Sequence, residues 1–208
     1  MSDKPVLLRP PQRFANALKR HGVEYLFGQS NPPAITLAAD DAGIKQIGYR
    51  QENSGTYMAD GYARVTGKVA VVTAQNGPAA TLLVAGLAEC LSASIPLVAL
   101  VQDVGPNSQD RNAFQELDQL ELFKGVAKWI KRVSSAERIE DYVDMAFTAA
   151  ASGRPGPAVL LVAGVAALVL ILRRRAKLPD DAFEPDDEDS PDAPPGVSSS
   201  SGPTSRTS

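Results

Sequence analysis

Apolar runs of a few residues recur between residues 23 and 162, separated by longer stretches in which apolar positions return every three or four residues. The runs at 23–27, 45–49, 69–73, 96–101, 128–133 and 158–162 predict strands. Phe14, Ala17, Leu18 and His21 fall on one face of a predicted helix, and Ile139, Tyr142, Val143 and Ala146 on one face of another. The stretches Glu52–Thr66 and 79–93, rich in alanine, leucine and methionine, predict two more. Gly22, Gly67 and Gly153 mark helix stops.

Strands alternating with helices predict an α/β fold, a parallel sheet of about six strands with helices on both faces. The near-continuous apolar strands agree, because a strand covered on both sides has no solvent face for polar residues to mark. In such sheets ligands bind in the loops beyond the carboxyl ends of the strands. Those loops are 28–33, 50–53, 74–78 and 102–115.

The pattern breaks after residue 162. Residues 158–172 are apolar and end in Arg173, Arg174 and Arg175, and an acidic, proline-containing run then gives way to a Pro/Ser/Gly-rich end. The expected organisation is a domain over 1–162, an apolar segment with a basic cluster over 163–178, and a disordered acidic and Pro/Ser-rich tail over 179–208. The tail lacks apolar groups to offset the entropy of ordering. As a helix, 158–172 would span about 22 Å, short of the roughly 30 Å hydrocarbon core. Membrane attachment through 158–175 is one alternative and a buried strand running into a helix is another. The favoured expectation is a truncation or frame change that replaced the native continuation.

Charge and chemistry narrow the function. A formal net charge of −3 supplies no field for nucleic acid. The single cysteine, Cys90, lies in an apolar helix and reads as a core residue, and it excludes both an intrachain disulfide and a multi-cysteine metal site. The single histidine, His21, sits at a helix end and gives no support to a Ser-His-Asp arrangement. No phosphate loop of the Gly-Lys-Ser/Thr type occurs. The run Asp186, Asp187, Glu188, Asp189 reads as a solvated tail, so no metal ligand is assigned. The first residues carry no apolar run of the secretory kind, which makes a cytoplasmic location the expectation.

Five blocks carry a more specific signal. Arg50-Gln51-Glu52-Asn53, followed by Met58-Ala59-Asp60-Gly61-Tyr62-Ala63-Arg64 and Thr66-Gly67, resembles the glutamate motif of thiamine diphosphate enzymes of the acetolactate synthase group. The blocks 22–28, 76–81, 113–116 and 152–157 resemble that family's first strand, glycine-proline turn, phenylalanine-glutamine pair and last strand entry, in the same order. The resemblance covers residues 10 to 162 and implies the pyrimidine-binding domain of such an enzyme. In that family the glutamate carboxyl shares a proton with the cofactor's aminopyrimidine ring, and the tautomer it favours activates the thiazolium carbon toward a 2-oxo acid.

Residue by residue, the resemblance implies that Glu52 is catalytic and that Gly28, Asn76, Gly77 and Pro78 join it in holding the cofactor. Phe114, Gln115 and Lys128 would reach substrate in the active site of a partner subunit. Plain structural roles stay open beside these: a first-turn charge for Glu52, a simple turn for Gly77 and Pro78, a packed aromatic and a solvated amide for Phe114 and Gln115, and a solvated strand-end lysine for Lys128. The family has histidine before the glutamate, a proline-glycine-glycine loop and small residues before the glycine-proline turn. Here stand Gln51, the loop 29–33 and Gln75-Asn76, which puts substrate identity in question more than cofactor class.

The family's Gly-Asp-Gly motif, which grips the diphosphate and magnesium from a later domain, is not in the sequence, and neither is its central domain. The implied cofactor site is therefore incomplete. Thiamine diphosphate would be shared with a separate or missing domain that supplies Mg2+, in a homo-oligomer or with a diphosphate-binding subunit, and the chain would be inactive alone. The alternative is a non-catalytic remnant or interaction module that pairs with full-length relatives.

Overall fold

The computed structural model describes residues 9–29 and 31–163. The predicted segment after residue 163 and the tail over 179–208 lie outside the described residues.

The chain forms α1 (Pro10–Arg20), β1 (Tyr25–Phe27), α2 (Pro33–Asp41), β2 (Lys45–Ile47), α3 (Glu52–Thr66), β3 (Ala70–Ala74) and α4 (Pro78–Ala93). These are followed by β4 (Leu97–Asp103), α5 (Gln119–Phe123), β5 (Trp129–Arg132), a 3-10 turn (Ala136–Arg138), α6 (Ile139–Ala151) and β6 (Pro157–Ala163). All six predicted strands are present and every pairing is parallel, in the order β2-β1-β3-β4-β6-β5. Helices cover both faces. α1, α2 and α6 pack on one through Phe14, Leu18, Ile35, Ile139 and Val143. α3, α4 and α5 pack on the other through Ala59, Leu83, Leu87 and Phe123.

Burial follows strand position. β3 and β6 are buried at every residue, whereas the edge strands β2 and β5 keep Lys45 and Lys131 in solvent. This is the expected contrast between strands flanked on both sides and strands with one open edge. Gly22, Gly67 and Gly153 all take positive φ at or just beyond helix ends, as read from the sequence. The first residues of the apolar run at 158–175 belong to β6, paired with β4 and β5. A membrane anchor cannot therefore begin at Ala158, and its remainder lies outside the described residues. Among the described residues no helix is long and apolar enough to cross a membrane.

Within the glutamate motif, the residues after Glu52 are scaffold. Asp60, nearly buried, pairs with Arg64 at 2.8 Å, and Arg64 reaches Glu89 of α4 at 3.0 Å. Cys90 directs its thiol at Asp60 from α4 and is fully buried, as expected of a core residue. Burial pushes that thiol up to about 12.

Candidate active site

In a parallel sheet all strands end on one edge, so the loops after β1, β2 and β3 converge. The Gly28 amide donates to the Ile47 carbonyl at 3.0 Å and the Gln46 amide returns a bond to the Gly28 carbonyl at 3.0 Å, tying the ends of β1 and β2 together. The Gln29 side chain donates to the Tyr49 carbonyl at 2.6 Å. On the other side Gly28 lies against β3, where a Cβ would stand 2.1 Å from Thr73 Oγ1. No side chain fits there, which explains glycine at this position by close approach.

Glu52 opens α3. The residue before it, Gln51, is extended and gives the helix no side-chain cap. A carboxylate in the first turn is favoured by the exposed helix amides. Glu52 is half-buried, and among the described residues its carboxyl takes no hydrogen bond and no ion pair. Beneath it lies Tyr49, buried, whose hydroxyl donates to the Thr73 carbonyl at 2.5 Å. Burial, and secondarily the nearby Glu52 carboxylate, push the Tyr49 phenol well above its ordinary range, so it stays a neutral donor. Nothing local marks this tyrosine's role, because in the sequence it only closes an apolar run predicted as a strand.

Gly77 precedes α4 at φ 63° and ψ −121°, a conformation open to glycine, with Pro78 as the first helical residue. A Cβ on Gly77 would stand 2.6 Å from the Gln115 carbonyl oxygen. The Asn76 side chain, 4% exposed, donates to the carbonyls of Phe114 and Gln115. The structure thus brings the phenylalanine-glutamine pair onto the glycine-proline turn. Phe114 projects outward, 79% exposed. Gln115 Oε1 and Thr73 Oγ1 are buried acceptors without a partner.

Lys128 does not join this group. It precedes β5, at the amino-terminal edge of the sheet, where its ammonium donates to the Ser152 carbonyl at 2.5 Å. Glu52, Gly28, Asn76, Gly77, Pro78, Phe114 and Gln115 all stand on the carboxyl edge.

The same edge holds a second feature that sequence reasoning missed. Asp103, at the end of β4, accepts bonds from Arg132 Nε at 2.5 Å, from Gln119 at 3.0 Å and from the Val104 amide at 2.9 Å. A cavity of about 480 Å³ opens above it, between Gln109, Leu117 and Leu120. The partners are far apart in sequence and no local pattern announces them.

Residues 11–122, just over half of the chain, match the description "Thiamine pyrophosphate enzyme, N-terminal TPP binding domain". The chain belongs to the thiamine pyrophosphate enzyme family. It is 40% identical over 154 residues to an acetolactate synthase large subunit of Haemophilus influenzae, covering 72% of this chain and 26% of that one. It is 38% identical over 151 residues to the isozyme 2 large subunit of Escherichia coli, covering 72% and 28%. With the chloroplastic acetolactate synthase of Arabidopsis thaliana it shares 36% over 150 residues, 71% and 22%. The chain thus spans about a quarter of the length of the relatives it matches.

Thiamine pyrophosphate, also called thiamine diphosphate, is the cofactor the family implies, and the residues fit its pyrimidine half. An aminopyrimidine is a flat heteroaromatic with ring nitrogens and one amine. The feature that suits it is the unpartnered, half-buried Glu52 carboxyl on the carboxyl edge of the sheet.

Proposed function

We propose that this domain forms the pyrimidine half of a thiamine diphosphate site in an acetolactate synthase-like enzyme that acts on 2-oxo acids. The observation that carries the reading is the Glu52 carboxyl, presented at the open end of α3 with no partner of its own. A carboxyl in that state can share a proton with a ring nitrogen, while the helix amides stabilise its charge. Gly28 and Gly77 would shape the loops around the ring by letting Thr73 and the Gln115 carbonyl close in on them, Pro78 would fix the turn, and Phe114 with Gln115 would face a partner's active site. When bound, the cofactor supplies the carbon centre that attacks the 2-oxo acid. The diphosphate and its magnesium would take oxygen ligands from another domain or chain. The chain alone is then inactive, and the site is completed in an oligomer.

The test is reconstitution. The full chain is mixed with a separately produced diphosphate domain of a relative, thiamine diphosphate, magnesium and pyruvate. Turnover is expected, and Glu52→Gln is expected to abolish it; equal turnover in that variant would refute the role. A second reading, a silent module that pairs with full-length relatives, is favoured by the exposed apolar residues Tyr57, Met58, Val65 and Leu82 on α3 and α4. Co-purification with a full-length relative, without reconstituted turnover, would select it.

A further inference from the structure

Between Asp110 and Gln115 the loop after β4 carries three non-glycine residues at positive φ: Asp110 at 60°, Asn112 at 53° and Gln115 at 55°. Asp and Asn tolerate that conformation but Gln115 resists it, so that end of the loop persists only where neighbouring groups hold it. Two side chains do so. From inside, Glu116 accepts the Asp110 amide at 2.6 Å and the Ala113 amide at 2.9 Å. From outside, Asn76 Nδ2 donates at 3.1 Å to the Phe114 carbonyl and at 3.0 Å to the Gln115 carbonyl. Two carbonyls facing one amide fix which of its ends is nitrogen, and the group has only two donors. Both are therefore used within the chain. Gly77, next in sequence, leaves just enough room for the Gln115 carbonyl to come down on the turn.

We infer that Asn76 is a positioning residue that clamps the Phe114–Gln115 segment onto the amino end of α4, and is not itself a cofactor contact. The inference rests on the reading above for what the segment serves, but the clamp can be tested apart from it. Amide hydrogen exchange of the full chain is compared in wild type, Asn76→Asp, which keeps the shape but loses the donors, and Asn76→Ser, which restores one. Exchange at Asp110, Ala113 and Glu116 is expected to speed up at least tenfold in N76D and to recover in part in N76S, with β3 and β4 unchanged. Unchanged exchange in the loop, or acceleration spread equally over β3 and β4, would overturn the clamp. Thiamine diphosphate titration of the same proteins, each mixed with the separate diphosphate domain and magnesium, separates the two ideas. Glu52→Gln should weaken binding and leave loop exchange intact. Weakened binding in N76D without a looser loop would make Asn76 a direct contact and sink the inference. Failure of the wild type to bind would count against the proposed function, while the exchange data still decide the clamp.

Discussion

Two carboxylates stand on the carboxyl edge of this sheet in opposite circumstances. Asp103, at the end of β4, is 3% exposed and surrounded by donors from Arg132, Gln119 and the Val104 amide. Glu52, after β2, is half-buried and its carboxyl accepts from none of the described residues. A buried acid whose two oxygens both accept from the protein is part of the framework, since a ligand would have to compete with protein donors. An acid left open at a helix start has its interactions still to make. Proximity to the loops of an α/β sheet does not separate the two; their hydrogen-bond inventories do.

The contrast can be broken most forcefully through function. In the reconstituted enzyme Glu52→Gln should lower steady-state turnover by about 10²–10⁴-fold while its urea midpoint stays at the wild-type value. Asp103→Asn should do the reverse in kind. Removing one partner of a buried pair typically costs about 3–5 kcal/mol, and the low end applies because the Arg132 side chain keeps 31% exposure. The measurement is urea unfolding of the full chain, with a lowered midpoint at constant slope. If E52Q destabilised as much as D103N, the distinction between site and framework would collapse.

Gly77→Ala should have an intermediate effect. Forcing a Cβ onto that backbone costs about 1–3 kcal/mol, and the new atom meets the Gln115 carbonyl, so the loss should come with faster exchange at 113–116. The smallest effect is a pH dependence. The Ala113 and Asp110 amides hold the Glu116 carboxyl below its usual range. A lowered folded value means the contribution is present above the unfolded pKa, about 4.3, and is lost as pH falls through the folded one. Loop amides should therefore lose protection only on acidification, by exchange corrected for intrinsic rates, and Glu116→Gln should remove that dependence.

The strands were legible because each central one is buried on both faces and must be apolar throughout. Two helices were not. α2 starts in the proline run at Pro32 and Pro33, which reads as loop, and α5 has five residues, too few to show a period, with only Asp118 capping it. Lys128 aligned with a substrate lysine by neighbourhood in sequence, and the fold places it before its strand, bonded to Ser152 on the edge opposite Glu52. The Asn76 donors reach a loop that joins it only through tertiary contact, which no local pattern announces.

The sequence by itself determined the sheet, its two covered faces, the family and Glu52 at a helix start, because these depend on periodicity and on local motif. Tertiary structure alone decided which polar groups were left over: the open Glu52 carboxyl, the Asn76 donors already engaged, the Asp103 carboxylate held on both oxygens. Hydrogen bonds between residues tens of positions apart leave no mark on local pattern, so only the folded chain can show which of them are still available.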